Sequence, residues 1–282
     1  MDRWRWDGTL FRGCAAYYTR GRLPYAPGFA ETVAAAVRAD GRGRLLDVGC
    51  GPGTVSLALA GFFAEVVGLD PDEDMVAEAA RQAERHGVGN AHWVVARAED
   101  LPAGLGGFQA VVFAQSFHWT DRGRVAATVL RMLEPGGALV HISDLKNPPV
   151  DPTPLPLPLP APPYARIGEL VRRYLGPVRR AGRGMLVNGT PSGEDLVLAE
   201  AGFEGFERHV VPAGDVVERT VDDIVAWVFS RSDSAPHLFG GRLVEFERDL
   251  RREPHRASHE DRFAERPPPT EIRIWRRPRG ER

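Results

Sequence analysis

The run Leu45-Leu46-Asp47-Val48-Gly49-Cys50-Gly51-Pro52-Gly53, followed by Glu65-Val66-Val67-Gly68-Leu69-Asp70, decides the fold. Apolar residues lead into a turn with glycine at every second position, and Val55 to Ala60 then has helical composition. The second apolar run ends in a carboxylate. This is a β-α-β mononucleotide-binding unit, in which the glycine turn and the acid at the second strand's tip both face the ligand. Working outward, residues 44–49, 64–69, 92–96, 109–114 and 137–143 read as strands, with helices near 53–61, 72–86 and 121–133. Such alternation implies an α/β fold with a doubly wound, mostly parallel sheet and a ligand site at the carboxyl ends of the strands.

The spacing of the turn separates two cofactors. A dinucleotide pyrophosphate is served by G-x-G-x-x-G and a free helix N-terminus. Here the glycines give G-x-G-x-G, and the acid Asp47 precedes them. An acid beside the turn repels a pyrophosphate but suits a ligand carrying an ammonium and a sulfonium. S-adenosyl-L-methionine (SAM) is such a ligand. Gly49, Gly51 and Gly53 let the backbone approach it without a Cβ in the way, and Asp70 is positioned to accept hydrogen bonds from the ribose hydroxyls.

From about Tyr17 to Ser143 the chain resembles the class I SAM-dependent methyltransferases, in particular the small-molecule branch with the ubiquinone/menaquinone-type and trans-aconitate-type enzymes. Leu45 to Gly53 resembles the glycine loop, and Gly68-Leu69-Asp70-Pro71 through Met75 the ribose-binding strand end. Ala98-Glu99-Asp100-Leu101-Pro102 resembles the adenine-side loop, and Leu133-Glu134-Pro135-Gly136-Gly137-Ala138-Leu139 the entry to the fifth strand. The resemblance implies a seven-stranded Rossmann-like sheet with an inserted helical cap. It implies cofactor contacts from Tyr18, Asp47, Gly49, Cys50, Gly51, Gly53, Asp70, Pro71, Met75, Ala98, Glu99 and Gln115. Relatives carry Gly-Asp-Ala before the adenine loop where this chain has Ala96-Arg97-Ala98, so the adenine contact moves to Glu99 and the backbone around Ala98. Cys50 is read as a small residue that fits the turn.

Methyl transfer is an in-line displacement, so the protein mainly has to aim a nucleophile at the methyl carbon. The loop after the fourth strand, Gln115-Ser116-Phe117-His118-Trp119-Thr120-Asp121, faces that carbon and resembles the trans-aconitate-type branch. It lacks the amide-Pro-Pro-aromatic motif of amino-group methylases; Pro162-Pro163-Tyr164 lies in a connector without the preceding amide. His118 is the candidate catalytic base, with a purely structural role as its alternative. Tyr17, Tyr25, Trp119, Trp227 and Phe239 are the candidate acceptor contacts. No His/Cys/Asp/Glu set has metal-ligand spacing, so no metal is expected.

The 282 residues are 43% hydrophobic, enough for a sizeable core. A formal net charge of −2 gives no basic field for nucleic acid or anionic lipid. Met1 to Asp7 lacks an apolar signal core and no run is long enough to span a bilayer, so a cytoplasmic protein without membrane or nucleic-acid partners is expected, its oligomeric state left open. The chain divides into an N-terminal arm and helix closing over the site (1–40), a SAM-binding core (41–144) and a proline-rich connector with a cap helix (145–190). A return to the sheet (191–214), cap helices opened by Thr220 as N-cap (215–255), and a last strand and tail (256–282) complete it. The function expected is methyl transfer from SAM to a small-molecule acceptor, apolar or aromatic in kind. The alternatives are an RNA or protein methyltransferase and a SAM-fold binding protein without turnover.

Overall fold

A computed structural model of the chain describes residues 7–145, 156–181, 184–186 and 193–279, with backbone alone at 179–181 and 184–186. Met1 to Trp6, the first part of the proline run (146–155) and Ser192 lie outside the described residues. In chain order the core comprises α1 (Ala15–Gly21), α2 (Phe29–Val37), β1 (Arg44–Val48), α3 (Thr54–Leu59), β2 (Glu65–Asp70) and α4 (Glu73–His86). It continues through β3 (Ala91–Val95), β4 (Phe108–Ala114), α5 (Arg122–Met132) and β5 (Leu133–Asp144). Then follow α6 (Tyr164–Leu175), the short β6 (Arg179–Ala181) and β7 (Gly184–Leu186), α7 (Glu194–Glu200) and β8 (Glu204–Val211). The last elements are β9 (Val217–Thr220), α8 (Val221–Phe229), α9 (Leu243–Ala257), β10 (Arg262–Glu265) and β11 (Thr270–Arg276).

One sheet of seven strands runs β3-β2-β1-β4-β5-β11-β8. The first five are parallel; β11 is antiparallel to both its neighbours. The strand order reverses between β1 and β4, and the ligand crevice of such sheets opens outside the carboxyl ends at that reversal. The alternation of side chains explains why these strands are apolar throughout. Leu46, Val48, Val111, Phe113 and Leu139 pack into one layer of core. Leu45, Ala110, Val112, Val140 and Ile142 pack into the other. Both faces are covered, as parallel sheets require.

Ends of elements are set by named residues. The Asp72 carboxylate caps α4 by accepting the Met75 N–H (3.1 Å), and Gly87 at φ +66° closes its other end. Thr220 caps α8 as expected, in a reciprocal box with Asp223.

A third cluster, which includes Ile167, Leu170, Ile224, Phe229, Phe246 and Phe263, forms the interior of a cap built from α6, α8 and α9. Within the arm, α1 packs on α8. Two features depart from the sequence reading. The cap carries its own ladder of β9 with β10, so its boundary lies beyond Glu265 instead of at 255. The strand expected at 137–143 starts at Leu133. Short strands and helices paired at long range have too few residues for periodicity to reveal them.

Candidate cofactor and acceptor site

The crevice holds two adjoining cavities that share Phe11, Tyr18, Gly49, Gly51, Ala114, Gln115 and Trp119. The first, about 690 Å³ counted out to open solvent, lies between the glycine turn, the end of β2 and the loop after β3, and its wall includes Asp70, Pro71, Met75, Ala98 and Glu99. The second, about 1450 Å³, opens from the same turn toward the cap and includes Cys50, Tyr25, His118, Asp144, Trp227 and Arg231.

The turn is built to leave the backbone bare. Gly49 and Gly51 sit at φ +72° and +54°, where side chains are strained. A Cβ on Gly49 would stand 2.5 Å from Ser116 Cβ, whereas around Gly51 the space is open. Below the turn, Asp70 Oδ2 accepts the Gly51 N–H (2.9 Å) and Oδ1 the Asp72 N–H (2.9 Å). Each oxygen keeps a lone pair for a further donor. Burial raises the Asp70 pKa to about 6, against the lowering effect of those two backbone donors.

Asp47 is also raised to about 6, by burial first, with the Ser56 hydrogen bonds opposing and the charge of Asp70 adding. It is fully buried and lines neither cavity. Strand alternation puts it on the Leu45 face under α3, where Ser56 Oγ donates to Oδ2 at 2.6 Å and Oδ1 has no partner. The expected direct contact with the cofactor is therefore corrected to a charge acting from beneath the turn. Two carboxylates held partly protonated for want of a counter-charge fit a cationic ligand. The bare backbone at Gly49 and Gly51 supplies the cradle such a ligand needs.

Other expectations divide. Tyr18, Tyr25, Cys50, Pro71, Met75, Ala98, Gln115, His118, Trp119 and Trp227 all line the cavities. Burial pushes the Cys50 thiol and the Tyr25 phenol upward, so both stay protonated. Glu99 lines the first cavity, but its Oε1 accepts the Asp121 N–H (2.7 Å) and its carbonyl the Arg124 guanidinium (2.9 Å), so it ties the adenine-side loop to α5. Gly53 lines neither: a Cβ there would meet Trp93 Cη2 at 2.7 Å, so this glycine serves packing against β3. Tyr17 points away from its neighbour Tyr18, into the cap, with its ring 5.1 Å from that of Phe229. Phe239 is stacked on Phe246 at 3.8 Å inside the cap. Helical rotation of about 100° per residue accounts for the first and burial of the cap's own core for the second.

Sequence reasoning missed Arg22. Its guanidinium lies 4.9 Å from the Tyr18 ring centroid, Nη2 donates to the Ser230 carbonyl (2.9 Å), and the buried Nε has no partner. It lines the second cavity beside the glycine turn. The i,i+4 spacing from Tyr18 was the available signal. Gln115, at φ +54°, donates from its amide to Asp144 Oδ2 (2.9 Å) and spans the two cavities. His118 sits in a single 3-10 turn, Phe117–Trp119, its ring 5.0 Å from that of Trp119.

Residues 45–137 match a family model described as a methyltransferase domain. Over 129 residues the chain is 33% identical to an uncharacterised methyltransferase of Mycobacterium tuberculosis, covering 46% of this chain and 49% of that protein. A stretch of 97 residues is 38% identical to the malonyl-[acyl-carrier protein] O-methyltransferase of Enterobacter lignolyticus, 34% of this chain and 37% of that one. A shorter stretch of 60 residues is 47% identical to an uncharacterised RNA methyltransferase of Thermosynechococcus vestitus, 21% of this chain and 13% of that one. The match thus spans about half the length of the first of these relatives and less of the others. The YcgJ protein of Bacillus subtilis superposes with a TM-score of 0.51 at 16% identity, over 89% of this chain and 98% of that one, which shows the fold. Residues 45–137 thus carry a methyltransferase domain, set in a seven-stranded sheet of Rossmann-like order with the glycine turn at its centre.

Proposed function

We propose that the chain transfers the methyl group of SAM to a small-molecule acceptor held in the second cavity. The observation that carries this is the junction of the two cavities at Gly49, Gly51, Gln115 and Trp119, with Asp70 on one side and His118 on the other. SAM, when bound, supplies an electrophilic methyl carbon. Asp70 holds the ribose, Asp47 and Gly49 favour the cationic end, and Arg22 with its free Nε receives the carboxylate of the methionine part. Gln115 and Trp119 form the wall that separates cofactor from acceptor, and Phe11, edge-on to Trp119 at 5.6 Å, closes that wall. His118 takes the acceptor's proton or orients it.

The matched RNA methyltransferase raises a nucleic-acid acceptor as the second reading. The net charge of −2 favours the small molecule, since phosphate backbones are held mainly by cationic surface. Calorimetric titration of the purified chain with SAM and S-adenosylhomocysteine is the test. Both bind and NAD does not, and Asp70→Ala weakens binding by roughly tenfold or more, as loss of a charged acceptor for two hydroxyls implies. Unchanged affinity in that variant would refute the assignment. Labelled methyl appearing in RNA but in no small molecule would favour the second reading.

A further inference from the structure

A third cavity, about 880 Å³, lies in the cap between α6 and the end of α8. It shares Trp227, Arg231 and Asp233 with the acceptor cavity, so these three residues are a partition with space on both sides. The partition is well defined. The Trp227 ring packs on that of Tyr164, tilted by 35° with centroids 4.2 Å apart, the Arg231 guanidinium lies 4.6 Å from the Trp227 ring centroid, and Arg231 Nε donates to Asp233 Oδ1 at 2.9 Å.

Gly168, in the interior of α6, lines the third cavity. Glycine within a helix costs stability relative to alanine and normally has a local reason. Gly21 has one, because a Cβ there would stand 2.4 Å from the Ala226 backbone. Gly168 has none: its φ is ordinary for a helix, and the nearest atom to a Cβ would be Arg172 Nη1, in unstrained contact at 3.6 Å. A larger residue at 168 would fit the fold and project into this space.

We infer that the third cavity is the distal part of the acceptor site: the acceptor is an elongated amphiphile whose reacting head sits by His118 and whose apolar extension passes Trp227 into the space that Gly168 keeps open. Val171 and Leu175, both half-buried, line that space above the buried Ile167 and supply apolar surface for the extension, with Glu169 and Arg172 beside them. The inference rests on the methyltransferase reading above and adds the shape and polarity of the substrate to it.

The probes are methyl, butyl and octyl 4-hydroxybenzoate, titrated calorimetrically into the full chain saturated with S-adenosylhomocysteine. Kd falls with chain length by roughly two- to fourfold per methylene until the cavity is filled. In Gly168→Leu the octyl ester loses about tenfold or more in affinity, while the methyl ester and S-adenosylhomocysteine bind as before. Gly168→Ala folds at least as stably as the native chain and keeps most of the chain-length dependence, which guards against a folding artefact. Equal chain-length dependence in the native chain and Gly168→Leu overturns the inference, as does the binding of no ester by protein that binds S-adenosylhomocysteine. Failure to bind S-adenosylhomocysteine itself overturns the methyltransferase reading instead.

Discussion

At the scale of single residues the site is governed by buried charge. Asp47 and Asp70 both have folded pKa values near 6, above the ordinary carboxylate value near 3.8. The folded state therefore holds their protons more tightly than the unfolded chain, and their effect on stability is lost as pH rises from about 4 through 6. Asp47→Asn removes one such charge while Ser56 keeps an oxygen to donate to. Its ligand-free stability should exceed that of the native chain by on the order of 2–3 kcal/mol at pH 8, with the gain vanishing near pH 4. Thermal denaturation from pH 4 to 8 measures this, and a constant difference across the range would exclude it. SAM affinity of the native chain rises over the same interval, because the ligand's positive charge favours the ionised carboxylates. His118 is the residue whose role turns on kinetics. As a base, its replacement by alanine should lower kcat about 10²- to 10⁴-fold with SAM affinity unchanged. An effect confined to the acceptor's KM assigns it to orientation, and native kinetics with a lower Tm makes it structural.

At the scale of the element, the glycine turn joins two kinds of constraint that look alike in sequence. Gly51 faces open space at the junction of the cavities, whereas Gly53 and Gly68 make room for the Trp93 ring. Alanine at 51 should leave the Tm within a few degrees, with the modest strain of a left-handed residue, yet abolish measurable SAM binding by filling the cradle. Alanine at 53 should do the reverse in order of cause. It crowds Trp93, costs about 1–3 kcal/mol of stability as overpacking does, and weakens SAM only as far as the turn shifts. Tm and calorimetric Kd measured on both variants separate the two, and indistinguishable behaviour would show the distinction to be wrong.

At the scale of the whole molecule, the arm and the cap are one body. Gly21 lets α1 approach α8 to backbone contact, Arg219 Nη2 donates to the carbonyls of Gly21 (2.8 Å) and Asp223 (2.9 Å), and Arg20 pairs with Asp223 at 2.7 Å. The body carries Tyr18, which lines both cavities, and Arg22 and Trp227, which line the second, so seating a ligand in one shapes the other. Gly21→Ala should weaken SAM binding although residue 21 lines neither cavity, because the Cβ pushes α1 away from α8. Hydrogen exchange should show α1 and α8 opening together and slowing together when ligand binds. A variant that loosens α8 without changing SAM affinity would show that the two are not coupled.

How much could be read in advance follows from the range of the interactions. The β-α-β unit around residues 45–70, the strand alternation and the α8 cap at Thr220 were legible, because turn chemistry and periodicity are written in neighbouring residues. The sequence also determined that Asp70 lies beside the glycine turn, where it accepts the Gly51 N–H, since a strand, a turn and the next strand tip are joined by a short chain. Which glycine faces ligand and which faces Trp93, and whether Tyr17 or Tyr18 looks into the cavity, were decided by tertiary packing. So were the burial of Asp47 under α3, the arrival of Arg22 beside the turn, and the cap's extension through β9 and β10. Each of these depends on a partner far away in the chain, and the direction a side chain takes is settled by what fills the space on the other side of it.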